Sequence, residues 1–407
     1  MPHSIRRRHI LAGLCAAGAV SAILHPSAAL AEDQNDNPEE GNGKSAPPLI
    51  DPSGADVERA SAFTSLVSAQ DEQIFHNRPD GARFANSMRS IPHQISASGV
   101  AFSNIASEEM ADIFSIDAQI AQDLDQTLDA AIQGTSVKFV CQHVAEVNGG
   151  RFQLLTYLVE RILSPQHVWA ESVNYFIRVA EDGSIAKVLR VEPGSWDYVA
   201  DITKGAFTDN LARLDAESAP SEEFNVPEFT IDDMSREEAD GSIMATRALG
   251  SDGRKKAAAY ALKYWKNYNT AYRTFSGVGG DCTNFVSQCM RAGGWTDVAG
   301  LWKSDGAWWY NSLNQSHPWI NVGKFRTFAL RSGRSKSASH VTQLYNGNVL
   351  QVRPTTTWVH SVIVTGRSGT TPLLTYHSSS TRDKPFSAFR KSYNEGASGF
   401  KWQFHLT

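Results

Sequence analysis

The chain predicts an α+β protein in two parts, each with helices ahead of antiparallel strands. Three observations carry this. Apolar residues recur at helical spacing over 56–70 and 107–133, and two-residue alternation takes over from Ser136. Charge then reverses along the chain: residues 251–407 hold 20 Lys and Arg against 6 Asp and Glu, a balance of +14, while the whole chain stands at −5. Between the parts lies an acidic stretch of Glu222-Glu223, Asp232-Asp233 and Glu237-Glu238 among prolines and serines. At 407 residues there is room for two cores, and 41% hydrophobic with 20% charged residues is an ordinary soluble composition.

Residues 1–31 read as a signal peptide. Arg6-Arg7-Arg8 precede an apolar run over 10–24, and Ala29-Leu30-Ala31 supplies a small-x-small cleavage site. Arg7-Arg8 also fits a twin-arginine signal, so export by the Sec or the twin-arginine route is expected, to a secreted or wall-associated location. No later segment is long enough to span a membrane. Residues 32–55, rich in Asp, Glu, Asn, Pro, Gly and Ser, form a disordered tether. Residues 56–205 form a small α+β domain without evident chemistry. Its strands cover 136–147, 151–164, 170–180 and 184–191, with turns at Asn148-Gly149-Gly150 and Asp182-Gly183. Residues 206–250 are the acidic linker.

The segment 251–407 carries the chemistry. An amphipathic helix over 253–268 leads through an aromatic connection to Gly279-Gly280-Asp281-Cys282-Thr283-Asn284. There a second helix opens with Asp281 at its N-cap and Cys282 in its first turn. Phe285, Val286, Cys289 and Met290 face inward, and Ala292-Gly293-Gly294 ends the helix. A thiol at this end feels the positive pole of the helix dipole, which favours thiolate. Beyond Val341 the pattern is strand-like. If the strands at 358–365 and 373–379 pair with Val364 opposite Leu373, His360 falls opposite His377 on one face. A slip of one residue would separate them.

These residues make a cysteine-nucleophile constellation. Cys282 attacks a carbonyl, His360 takes and returns the proton, and His377 orients the His360 ring. Asp383 is an alternative orienting group. The Cys282 N–H is one oxyanion donor, and the second has no candidate in the sequence. Asn284 is a candidate substrate donor, and Gln288 shares that reading. Trp308 and Trp309 belong to a tryptophan-rich stretch over 295–319 that suits either a stacking groove or a core. No metal or cofactor pattern appears. Of four cysteines, Cys15 leaves with the signal, and the odd remainder of Cys141, Cys282 and Cys289 requires a free thiol. Cys282 and Cys289, about 10 Å apart on one helix, cannot bridge; a Cys141–Cys289 bridge stays open.

The run from Asp281 to Gln288, followed by Ala292-Gly293-Gly294-Trp295, resembles the signature of the putative amidase domain family of exported bacterial proteins. Ala257-Ala258-Ala259-Tyr260-Ala261 upstream, and His360-Ser361-Val362-Ile363-Val364-Thr365 and Leu374-Thr375-Tyr376-His377 downstream, are similar to its other blocks. The resemblance covers about 250–407. It implies a papain-like domain related to NlpC-type and CHAP cell-wall amidohydrolases, with N-terminal helices packed on an antiparallel sheet. It also implies the same roles for Cys282, His360 and His377. Where relatives often show Gly-Asp-Val, this chain has Gly347-Asn348-Val349. The implied substrate is a cell-wall peptide or glycopeptide. The basic segment suits anionic wall polymers rather than nucleic acid. The alternative is a non-catalytic wall-binding protein that keeps the fold.

Overall fold

The computed structural model describes residues 49–76, 99–147, 149–191, 248–275, 281–377, 379–393 and 395–407. The signal peptide and nearly all of the acidic linker lie outside these residues. Among them no helix is long and apolar enough to cross a membrane.

In the N-terminal half, helix α1 (Gly54–Asp71) starts at a capping box. The Ser53 hydroxyl accepts from the Asp56 N–H, and the Asp56 carboxylate accepts from the Ser53 N–H. A π-helical turn, Glu72–His76, extends it, and α2 spans Asn104–Thr127. Both lay apolar faces on strands β2 (Thr135–Val147), β3 (Gly150–Ile162), β4 (Val168–Val179) and β5 (Ile185–Val191). Phe63, Met110, Phe114, Tyr157 and Trp169 fill the space between. Gly149 and Gly183 hold positive φ of 77° and 83° at the two turns read from sequence, where a side chain would be strained. Leu49–Ile50 (β1), within the stretch expected to be a tether, instead pairs with Ala145 and Val144 of β2.

The C-terminal half begins with α3 (Ser251–Tyr264) and α4 (Cys282–Gly293), packed together, with Gly253 and Gly293 at their crossing. A Cβ on Gly253 would stand 2.5 Å from the Gly293 carbonyl oxygen, so the close approach requires glycine there. Short α5 (His317–Ile320) and α6 (Val322–Arg331) follow, then β6 (Lys336–Ala338), β7 (Val349–Arg353), β8 (His360–Ser368), β9 (Thr371–Tyr376), β10 (Thr381–Pro385), α7 (Phe386–Arg390) and β11 (Lys401–Leu406). Helices α3 to α6 and the segment between α4 and α5 cover one face, with Phe285, Met290, Trp308, Trp319 and Phe328 in its core. Helix α7 covers the other through Phe386 and Phe389 against Val362, Val364 and Leu374.

The strands run β1-β2-β3-β4-β10-β9-β8-β7-β11-β6, with β5 also on β4, and the pairs are antiparallel. The halves therefore share one sheet. Its join is narrow: β4 and β10 meet at Ala170↔Arg382, and Ser172 N–H donates to Ser379 O at 3.0 Å. Side chains reinforce it. Lys384 reaches Glu171 at 2.8 Å, His167 meets Asp383 at 3.1 Å, and Leu373 and Ala388 enter the N-terminal core.

Candidate active site

Helix α4 is buried along most of its length, and its polar residues Thr283, Asn284, Ser287 and Gln288 are buried with the apolar ones. Gly294 ends it with φ 116°, the left-handed stop its sequence predicts. Cys282 heads the helix, and its sulfur lies 3.8 Å from the Thr283 hydroxyl. Burial pushes the thiol above its ordinary value, and the Asp281 carboxylate adds to this; the Ser361 N–H, which donates to the sulfur, and the Thr283 hydroxyl pull it partly back. The expected bias toward thiolate is thus corrected. Desolvation outweighs the donors that reach the sulfur. Cys141, Cys282 and Cys289 are all buried, and among the described residues no Cys141–Cys289 bridge forms.

The histidine register also differs from expectation. Strands β8 and β9 pair Ile363↔Thr375 and Val364↔Leu374, then shift at a bulge before Gly366↔Leu373. Val364 faces Leu374 rather than Leu373, and this slip puts His360 and His377 on opposite sheet faces. The bulge has a cause. Thr365 turns its hydroxyl to Asp383 Oδ1 at 2.6 Å and to the Thr375 hydroxyl at 2.7 Å. His360 lies with Tyr376, ring centroids 4.9 Å apart, and with Phe389. Its Nε2 is buried without a hydrogen-bond partner among the described residues, and burial lowers its pKa to about 3. It immediately precedes Ser361, whose N–H meets the cysteine sulfur.

His377 does not orient His360. Its ring is sandwiched between Tyr268 and Phe285, at centroid distances of 3.6 and 3.8 Å. Nδ1 stands 2.5 Å from Asp281 Oδ2, and Nε2 stands 3.0 Å from the Tyr264 carbonyl oxygen. Both partners accept, so the ring satisfies both by donating from each nitrogen. Asp281 correspondingly does not cap α4 with its side chain. Its other oxygen accepts from the Phe275 N–H at 2.9 Å and from Asn284 Nδ2 at 2.8 Å. The pair is a clasp that fixes the start of the cysteine helix to β9 and α3. Its role makes a prediction. His377→Ala lowers stability by about 3 kcal/mol, the cost of unpairing a buried charge, read as a fall in Tm by calorimetry. Loss of activity at unchanged Tm would return His377 to an orienting role.

Part of the C-terminal half is similar to a known family. Residues 251–399 match the family model described as "Putative amidase domain". The match is to an amidase-type hydrolase acting on C–N bonds, and it contains Cys282, His360 and the Asp281–His377 clasp. Two relatives come from Bacillus subtilis (strain 168). The chain is 34% identical to Uncharacterized protein YhbB over 100 residues, 23% of this chain and 30% of that one. It is 31% identical to Uncharacterized protein YjcM over 157 residues, 35% of each chain. The chain thus spans about a third of the length of these relatives. No solved structure matches it.

The other residues singled out in the amidase-type segment have structural partners. Asn284 is fully buried and donates to the Arg273 carbonyl oxygen and Asp281, while its oxygen accepts from Trp319 Nε1 at 2.7 Å. Both of its N–H donors are thus already used. Trp308 is buried in the core and donates to Ser287 Oγ at 3.2 Å. Trp309 is half-buried, with its Nε1 donating to the Gly300 carbonyl oxygen at 3.0 Å. Gln288 accepts from the Tyr260 hydroxyl. Asp383 turns to Thr365 and His167, away from His360. Tyr393 is the residue that sequence reasoning missed. Its ring is half-buried and its hydroxyl buried; it is close enough to Cys282 for the two to interact electrostatically, and the hydroxyl lacks a partner among the described residues. Following α7 without any motif, it gave no sequence signal.

Proposed function

We propose that this protein is an exported cysteine amidohydrolase that cuts an amide bond in cell-wall peptide or glycopeptide, with Cys282 as nucleophile and His360 as its base. The observation that carries this reading is the placement of Cys282. It heads a buried helix within the amidase-matched residues, its sulfur held by the N–H of Ser361, the residue next to His360, whose Nε2 has no hydrogen-bond partner among the described residues. In the forward step Sγ bonds to the carbonyl carbon while its proton passes to His360 Nε2. The leaving amine then takes that proton as the C–N bond breaks, and water hydrolyses the thioester. The Cys282 N–H and the Tyr393 hydroxyl receive the oxyanion. The signal peptide at 1–31, a wall or extracellular location, and domain limits at 56–205 and 251–407 belong to the same proposal, as does attraction of the +14 segment to anionic wall polymers. Purified peptidoglycan tests it: fragments identified by mass must appear with wild type and not with Cys282→Ala. A second reading, a wall-binding protein without turnover, draws on the burial of Cys282 and His360 to 2% exposure each. Wall binding without release by wild type would favour it.

Two predictions follow the proposed roles. Tyr393→Phe removes one oxyanion donor and lowers kcat about 10²-fold with KM little changed, measured on the released amine. Unchanged kcat removes Tyr393 from the site. The resting pair is uncharged, since burial raises the thiol and lowers the imidazole. Iodoacetamide therefore labels Cys282 with a rate that climbs as pH rises past the ordinary thiol value of 9.0. A plateau already reached at neutral pH, and lost in His360→Ala, would instead mean a preformed ion pair.

A further inference from the structure

The N-terminal half contains a cavity of about 40 Å³, beneath α1 and α2 and against β3 and β4. Ser379 and Lys384 from the other half complete its wall. A single water needs roughly 10–15 Å³ by the same kind of measure, so the space exceeds one water. The wall is charged but balanced. Arg161, stacked 4.0 Å from the Phe75 ring and 4.1 Å from the Trp169 ring, is paired with Asp71 and with Glu171. Lys384 holds the other oxygen of Glu171 at 2.8 Å, and Arg190 holds Asp117 at 2.6 Å. Three carboxylates thus meet three cations, and a ligand with net charge would bury an uncompensated one.

Two residues of this wall each carry a polar atom without a partner among the described residues: Asp71 Oδ2, an acceptor, and Trp169 Nε1, a donor. Their residues are 7% and 1% exposed. Burial lifts the Asp71 carboxyl to about 6 in spite of Arg161, as an oxygen lacking a donor should show. Val67, Phe114 and Val159 supply apolar lining. We propose that this cavity binds a small uncharged ligand, a primary carboxamide on a short apolar stem, whose N–H donates to Asp71 Oδ2 and whose carbonyl accepts from Trp169 Nε1. A single planar head then satisfies both atoms and disturbs none of the ion pairs.

The test uses the full chain and propionamide, with propionate and propylammonium as charged controls. The readout is the indole N–H resonance of Trp169, assigned by its disappearance in Trp169→Phe. Propionamide should shift that resonance saturably, and the two ions should not. Trp169→Phe keeps the ring over Arg161 and removes only the donor, so propionamide binding, followed by calorimetry, should weaken about fivefold, the worth of one neutral hydrogen bond. Val67→Met fills the cavity and should abolish binding with the Asp71–Arg161 pair intact, which keeps the proposal testable should Trp169→Phe not fold. No saturable shift, equal binding of all three probes, or undiminished binding by either folded variant would overturn it and leave the cavity to water.

Discussion

On the proposed mechanism, Cys282→Ala should release no fragments from peptidoglycan above background, a loss of at least about 10⁴-fold, because removing the proposed nucleophile from a two-step acyl transfer leaves only residual binding and oxyanion stabilisation. His360→Ala falls to a similar level. The two losses are not additive, since sulfur and imidazole act on one proton, and the double variant should be no worse than either single one. Cys282→Ser distinguishes the chemistry from the fold. A hydroxyl in this buried place is harder to deprotonate than the thiol, so the serine variant folds with wild-type Tm and stays inactive. The measurement is fragment mass against time, with Tm recorded for every variant. Release by Cys282→Ala at more than a hundredth of the wild-type rate would place the nucleophile elsewhere.

Arg161→Met lowers stability by about 3–5 kcal/mol, the cost of removing one member of a buried charge cluster and stranding the others. Arg161 is almost fully buried and answers both Asp71 and Glu171. With methionine, Glu171 keeps Lys384, but Asp71 loses its cation and both oxygens face a low-dielectric wall. Part of the loss is also the guanidinium stacking on Phe75 and Trp169. Denaturant unfolding measures the change. Arg161→Met with Asp71→Leu should recover much of it, since an apolar pair leaves no stranded carboxylate. A single variant within 1 kcal/mol of wild type would mean that water reaches Asp71 and does the work assigned to Arg161.

Much of the architecture was legible because its signals are local. Gly149 and Gly183 mark turns that exist, each at positive φ. The apolar stripe Phe285, Val286, Cys289, Met290 and the Gly294 stop define α4 as it stands. The site was legible only in part. Cys282 and His360 belong to recognisable blocks, but their surroundings depend on contacts far along the chain. The β8–β9 register turns on Thr365, whose hydroxyl answers Asp383 and Thr375. The partner of His377 is Asp281, 96 residues away. Counting strand residues cannot find a bulge set by a third strand, so His377 was assigned to the wrong ring. Trp308 and Asn284 look like groove residues by type, and only packing shows them to be committed inside.

The narrow join of the sheet bears on how the chain is made. Glu171 waits for Lys384, 213 residues downstream, and the N-terminal core waits for Leu373 and Ala388. At a synthesis rate of about 5–20 residues per second, those partners emerge roughly 10–40 s after β4. During that interval an acidic side chain lacks its lysine, and apolar surface on the first-made half stands uncovered. The nascent protein is therefore most open to chaperones, proteases and self-association just before residues 373–388 emerge.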